Sequence, residues 1–183
     1  IAILPGSRKS EIYHHSKPLV DFINTYKNQN ADVEIILALN KESDLFGELK
    51  QLSKKISVIY DSTQKVLASC DMAIVASGTA TLEAAILAKP MVVIYKSNKL
   101  SNFILSNFFL KTKFISLPNI LSQEKIVFEL RQNQVSGKEI SEKVELTFKN
   151  QEVIAKKFSS IRDSLLVKDS NKFSIALREI LAK

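Results

Sequence analysis

Two short stretches carry residue types suited to holding an anion. Pro5-Gly6-Ser7-Arg8 follows the apolar run Ile1–Leu4 and precedes a helical pattern. Its glycine lets the backbone approach a ligand, the following helix offers unpaired N–H groups, and Ser7 and Arg8 add donors. A plain strand-to-helix turn, with Ser7 as N-cap and Arg8 in water, satisfies the same four residues, so alone they leave both readings open. The second stretch is Ala76-Ser77-Gly78-Thr79-Ala80-Thr81-Leu82-Glu83. There a strand ends, Gly78 turns the chain and a helix starts among small hydroxyl residues, again an anion site at a helix N-terminus. Glu83 sharpens the pattern. The residue three before it is Ala80, so it is not the Glu of a capping box. Beside phosphates a carboxylate repels, but it suits a ligand that brings hydroxyl donors, such as a ribose. The plainer alternative is a charge that complements the helix dipole, worth about 0.3–1 kcal/mol. Neither stretch has G-x-G-x-x-G or G-x-x-x-x-G-K-[ST] spacing, which argues against a Rossmann dehydrogenase and a P-loop NTPase.

Strands and helices must bring these loops together. Ile1–Leu4, Val33–Leu39, Ile56–Tyr60, Asp71–Ala76 and Met91–Tyr95 read as strands. Helical patterns separate them, at Ser10–Tyr26, Ser43–Lys54, Thr63–Ala68 and Thr79–Ala88. Alternating helices and continuously apolar strands imply a doubly wound parallel sheet covered on both faces. Ligands then bind outside the carboxyl ends of the strands, where both loops lie. Beyond Tyr95 the pattern changes. Asn98–Leu110 reads as helix, Phe114–Leu117 as a short sixth strand, and Pro118-Asn119 as a break. From Lys125 on, helices are expected at Lys125–Gln132, Lys138–Lys149, Gln151–Leu166 and Asn171–Ala182, forming a helical C-terminal tail. Residues 1–183 read as one domain, and the start at Ile1, inside a strand, as part of a longer protein.

The 183 residues suffice for one core of native size. One cysteine excludes an internal disulfide framework and a thiolate metal cluster, and two histidines leave little for zinc, so no metal and no cofactor are expected. No apolar run reaches the ~18 residues of a bilayer span. The net charge is +7, and 22 of the 26 basic residues are lysine. Base-edge readout relies on arginine forks, so nucleic acid is not the expected partner. From Ala84 to Gln123 there is no Asp or Glu, while Lys89, Lys96, Lys99, Lys111 and Lys113 lie there. An anionic partner near this stretch follows.

Three segments, in this order and at these distances, resemble a known family. LPGSRKSEI (Leu4–Ile12), ASGTATLEAAILAKPMVVIYK (Ala76–Lys96) and SLPNIL (Ser116–Leu121), with FELRQ (Phe128–Gln132) after them, are similar to the C-terminal half of bacterial lipid-A-disaccharide synthase, a GT-B glycosyltransferase. The resemblance spans nearly the whole chain, and its motifs are specific as a set. It implies a Rossmann-like GT-B half that grips a UDP-sugar donor. The family transfers 2,3-diacylglucosamine from UDP to 2,3-diacylglucosamine 1-phosphate, without a metal. By this resemblance Gly6, Ser7, Arg8, Ser77, Gly78 and Thr79 hold the diphosphate and Glu83 the ribose. Asn119, Glu129 and Gln132 match polar positions facing the donor cleft. The acceptor site and general base belong to the family's other half, so this chain is expected to bind donor without turning over.

The resemblance also implies work at the cytoplasmic face of a Gram-negative inner membrane, and leaves a homo-oligomer open. Phe103, Phe108, Phe109 and Lys111 fall in the acid-free stretch and suit contact with acyl chains and an anionic membrane surface. A helix packed on the sheet is the plainer alternative. Cys70 reads as a small core residue. His14 and His15 are adjacent on a helix and face different ways, and a part in the first loop is the minor reading for them. Part of the C-terminal tail is expected to pack poorly. Two other functions remain open: a non-catalytic nucleotide-sugar module using the same loops, and another GT-B enzyme such as an N-acetylglucosaminyltransferase or a UDP-sugar epimerase.

Overall fold

The computed structural model describes residues 1–40, 47–52, 56–97 and 113–168. Six parallel strands form one sheet: β1 (Ala2–Leu4), β2 (Ile36–Leu39), β3 (Ser57–Tyr60), β4 (Ala73–Ala76), β5 (Met91–Tyr95) and β6 (Phe128–Arg131). Their order is β3-β2-β1-β4-β5-β6. Chain direction across the sheet therefore reverses between β1 and β4. That is where a doubly wound sheet opens a crevice at its carboxyl edge.

Alternate strand residues serve opposite cores, because successive side chains leave a strand on opposite faces. Ile3, Leu37, Ile74, Val92 and Ile94 join one cluster. Its cover includes α1 (Lys9–Gln29) and α6 (Gly137–Lys149), through Ile12, Leu19, Phe22, Ile140 and Val144. Ala2, Leu4, Ala73, Val75 and Val93 join the other. There α3 (Thr63–Ser69) supplies Val66 and Leu67, α4 (Ala80–Ile86) supplies Ala84 and Ala85, and α7 (Gln151–Lys168) supplies Ile154 and Phe158. A fully buried Leu or Phe contributes roughly 1.5–3 kcal/mol, so the two cores together hold the layers. The short helix α2 (Gly47–Leu52) also covers the first face, with Leu49 and Leu52.

Gly137, at the start of α6, packs directly against α1. A Cβ there would lie 2.7 Å from both the Asp21 Cβ and the Phe22 backbone nitrogen. Only a residue without a side chain lets the two helices meet at that point.

Two expectations need correcting. Lys125–Gln132 is not a helix, since Phe128–Arg131 is the edge strand β6, paired with β5. Four residues, of which only Leu130 is fully buried, are too few for a period to declare itself. Phe114–Leu117 is not a strand, and Leu117–Ser122 instead forms a short helix, α5, with Pro118 in its first turn. Within the tail, α7 packs through the buried Ile154, Phe158 and Ile161, and residues 169–183 lie outside the described residues. The helices expected over 98–110 and 171–182 lie outside the described residues, as do Phe103, Phe108, Phe109 and Lys111.

Candidate functional site

The first loop leaves β1 through Gly6, whose φ of +119° is a conformation that side chains disfavour. A Cβ at Gly6 would also stand 2.6 Å from Glu11 Oε2 and 2.8 Å from Glu11 Cβ. Glu11, in the first turn of α1, folds back under the loop. Its carboxylate accepts the N–H groups of Ser7 (3.1 Å) and Arg8 (3.4 Å) and pairs with the Arg8 guanidinium (3.1 Å). The loop's own carboxylate thus takes up N–H groups that a bound anion was expected to use. Ser7 is not the N-cap of α1; that place falls to Arg8. The Arg8 side chain is 80% exposed even while paired with Glu11.

The second loop leaves β4. Ser77 is held from both sides: its N–H donates to the Ile94 carbonyl (2.9 Å) and its hydroxyl to the Ile115 carbonyl (2.9 Å). Thr81 donates to the Gly78 carbonyl (2.7 Å) and accepts the Leu117 N–H (3.3 Å). A Cβ at Gly78 would meet nothing within 4 Å, and its φ is not positive. Neither backbone strain nor packing calls for glycine here; what its missing side chain leaves is open space over the loop. Gly78 and Thr79 are exposed. Glu83 is half-buried one turn into α4, and its carboxylate has no hydrogen-bond or ion-pair partner among the described residues.

These two loops line one cleft of ≈ 1010 Å³ at the carboxyl ends of the strands. It unites Gly6, Ser7, Arg8, Ser77, Gly78, Thr79 and Glu83, all expected from the sequence, which lie up to 77 positions apart (83 − 6 = 77). A third wall was not expected. Asp61, Ser62, Thr63 and Lys65, where β3 runs into α3, face the same cleft. Their signal was available, since they form a polar cluster after a strand of the same parallel sheet.

Asn119, Glu129 and Gln132 do not line this cleft. Asn119 is fully buried. Its Nδ2 donates to the Val127 carbonyl (3.0 Å) and Glu129 (2.9 Å), and its Oδ1 accepts the N–H groups of Ile126 (2.7 Å) and Val127 (2.9 Å). The Glu129 carboxylate accepts the N–H groups of Ile115 (3.1 Å) and Ser116 (2.9 Å), the Ser116 hydroxyl (2.7 Å) and Arg131 (2.8 Å). Burial alone pushes the Glu129 carboxyl up, but Arg131 and the Ser116 and Ile115 donors outweigh it and hold the group below its usual range. Gln132 accepts the Ser97 N–H at 3.3 Å. Asn119 and Glu129 thus fasten the segment that carries Ile115, the acceptor of Ser77, and they shape the site from behind.

His15 is buried between the chain ends that follow β1 and β5. Nδ1 lies 2.7 Å from the Pro5 carbonyl, and Nε2 accepts the Lys96 N–H at 3.0 Å. A carbonyl can only accept and an amide N–H can only donate, so these partners fix the neutral ring with its proton on Nδ1. Burial lowers the His15 pKa, against the opposing effects of the Pro5 hydrogen bond and Glu11. Among the described residues no three His, Cys, Asp or Glu side chains cluster as a metal site, and no helix is long and apolar enough to cross a membrane.

Taken together, a doubly wound parallel sheet with two glycine turns and, at its strand-order switch, a carboxylate unpaired among the described residues defines a Rossmann-like α/β domain, the architecture of a GT-B half. Comparison with known proteins narrows this. The family model described as lipid-A-disaccharide synthetase matches residues 1–182, and the chain belongs to the lipid-A-disaccharide synthase family. The lipid-A-disaccharide synthase of Colwellia psychrerythraea is 33% identical over 191 residues, covering 100% of this chain and 48% of that protein. That of Nitrosococcus oceani is 37% identical over 144 residues, covering 77% of this chain and 37% of the relative. The Pasteurella multocida protein is 32% identical over 157 residues, with 83% of this chain and 40% of the relative covered. The chain thus spans about half or less of the length of the curated relatives it matches.

Proposed function

We propose that this chain is the donor-binding half of a glycosyltransferase of lipid A biosynthesis. It takes UDP-2,3-diacylglucosamine, whose sugar passes to 2,3-diacylglucosamine 1-phosphate, giving the disaccharide 1-phosphate and UDP. One observation supports this reading above the others: in a chain of this family, one cleft gathers both glycine turns and a carboxylate that lacks a partner among the described residues. A UDP-sugar complements that set. The diphosphate lies between the loop at Gly6, Ser7 and Arg8 and the turn at Ser77, Gly78 and Thr79, and the ribose hydroxyls donate to Glu83. As the glycosidic bond to UDP breaks, negative charge grows on the diphosphate. Arg8 leaves Glu11 to meet it, and the N–H groups of Gly78 and Thr79 add fixed dipoles, so no cation is needed.

The acceptor sugar and the base that activates its hydroxyl are assigned to the portion of the relatives that this chain does not match. Incubated with radiolabelled donor and with acceptor, the chain retains donor on equilibrium dialysis and forms no disaccharide. Disaccharide production, or retention of acceptor in place of donor, contradicts the assignment.

The enzyme's place is the cytoplasmic face of the inner membrane. The acid-free stretch with Phe103, Phe108, Phe109 and Lys111 supports contact with anionic lipid there. Replacing Phe108 and Phe109 by serine lowers flotation with anionic liposomes while the melting temperature stays unchanged. A collapse of the melting temperature instead assigns these residues to the core.

A further inference from the structure

We infer that His15 is a positioning residue of the cleft, a neutral imidazole strut that sets the spacing between its two glycine loops. The inference rests on the donor-site reading above. On one side the ring donates from Nδ1 to the carbonyl of Pro5, the residue before Gly6. On the other, Nε2 accepts the N–H of Lys96, where β5 ends. The same end of β5 holds the second loop, because the Ile94 carbonyl accepts the Ser77 N–H at 2.9 Å. A continuous path therefore runs from the Gly6 loop through Pro5, His15, Lys96 and Ile94 to Ser77. No ligand contact is required of the ring itself, which is 1% exposed.

The path depends on the protonation state of one ring. A second proton on Nε2 turns an acceptor into a donor that faces the Lys96 N–H, and the tie to β5 is lost. The other groups acting on the ring are Glu11, which favours the charged form, and His14 and Lys96, which oppose it. Glu11 pairs with Arg8, and the Lys96 ammonium is turned toward the Val135 carbonyl at 3.5 Å. Burial adds to the opposition, so the strut is intact at neutral pH and fails on acidification below the ordinary histidine value of 6.5.

The test is UDP affinity by calorimetry between pH 7.5 and 5, for the native chain, His15→Leu and His15→Asn, with melting curves for each. Leucine removes both hydrogen bonds, while asparagine keeps a donor near the Nδ1 position. At pH 7.5 the leucine variant binds UDP about five- to tenfold more weakly and the asparagine variant lies between it and the native chain. On acidification all three follow the titration of the ligand's own phosphate, near pH ~6. The native chain loses additional affinity and converges on the leucine variant. If His15→Leu does not fold, the asparagine variant carries the same comparison. Equal affinities at pH 7.5, or profiles that stay parallel without converging, overturn the strut. Failure of the native chain to bind UDP at any pH overturns the donor-site reading itself, and the strut with it.

Discussion

Replacing Glu83 by alanine lowers the affinity for UDP by about 10- to 100-fold. A hydrogen bond to a charged acceptor contributes about 1.5–3 kcal/mol, and a ribose offers two vicinal hydroxyls to one carboxylate. The half-buried position of Glu83 keeps the total nearer the lower end, since water competes for the same oxygens. Glu83 has no partner to leave stranded among the described residues, so its removal costs the fold little. Calorimetry of native and variant chains with UDP, and with 2′,3′-dideoxy-UDP, separates the effects. The variant and the dideoxy ligand each bind weakly, and together they bind no more weakly than either alone. Unchanged UDP affinity in the variant places Glu83 outside the site and leaves it as a complement to the dipole of α4.

Replacing Glu129 by alanine destabilises the fold by about 3–5 kcal/mol, the usual cost of removing one partner from a buried, charged hydrogen-bond network. The Glu129 side chain is only 6% exposed. Its loss strands the donors of Ile115, Ser116 and Asn119 and leaves the Arg131 guanidinium without its carboxylate. For a domain of this size that lowers the melting temperature by roughly 6–20 °C. Glutamine in its place restores an acceptor but no charge, and recovers part of the loss. The pH dependence has a definite sign. The folded-state pKa of Glu129 lies below its ordinary value of 4.5, so the unfolded chain binds the proton more readily. Its contribution is present above pH 4.5 and lost as pH falls through the folded value. A melting temperature within about 2 °C of native for Glu129→Ala, the shift that only ~1 kcal/mol or less produces in a domain this size, contradicts this role.

These two glutamates show what the sequence made legible. The glycine turns after the first and fourth strands, and Glu83 beyond the second turn, were readable because strand, glycine and helix follow each other within a few residues, and local order fixes local geometry. The first five strands were legible for the same reason, each being a continuous apolar run bounded by turn residues. Glu129 and Asn119 were identified as polar positions of the site, but their orientation was not readable. Whether a carboxylate points at a ligand or at the N–H groups of Ile115 and Ser116 depends on how β6 docks on β5, a pairing across more than thirty positions (Val92 to Phe128). The strand itself was missed on the same ground: Phe128–Arg131 is too short to show a period, and its place is set by its neighbour. Glu11 was hidden differently. It sits in the first turn of α1, and its return to the Ser7 and Arg8 N–H groups follows the positive φ of Gly6. His15 could not be assigned from its neighbours in the chain, because its two partners, Pro5 and Lys96, lie on different strand ends.

On this proposal the cleft between the Gly6 and Gly78 loops holds a uridine diphosphate. Calorimetric titration of the native chain with UDP, and with ADP in parallel, tests it most directly. One UDP is expected to bind per chain, with ADP at least about tenfold weaker, a difference of about 1.4 kcal/mol. Equal affinity for the two nucleotides, or no binding of UDP, contradicts it.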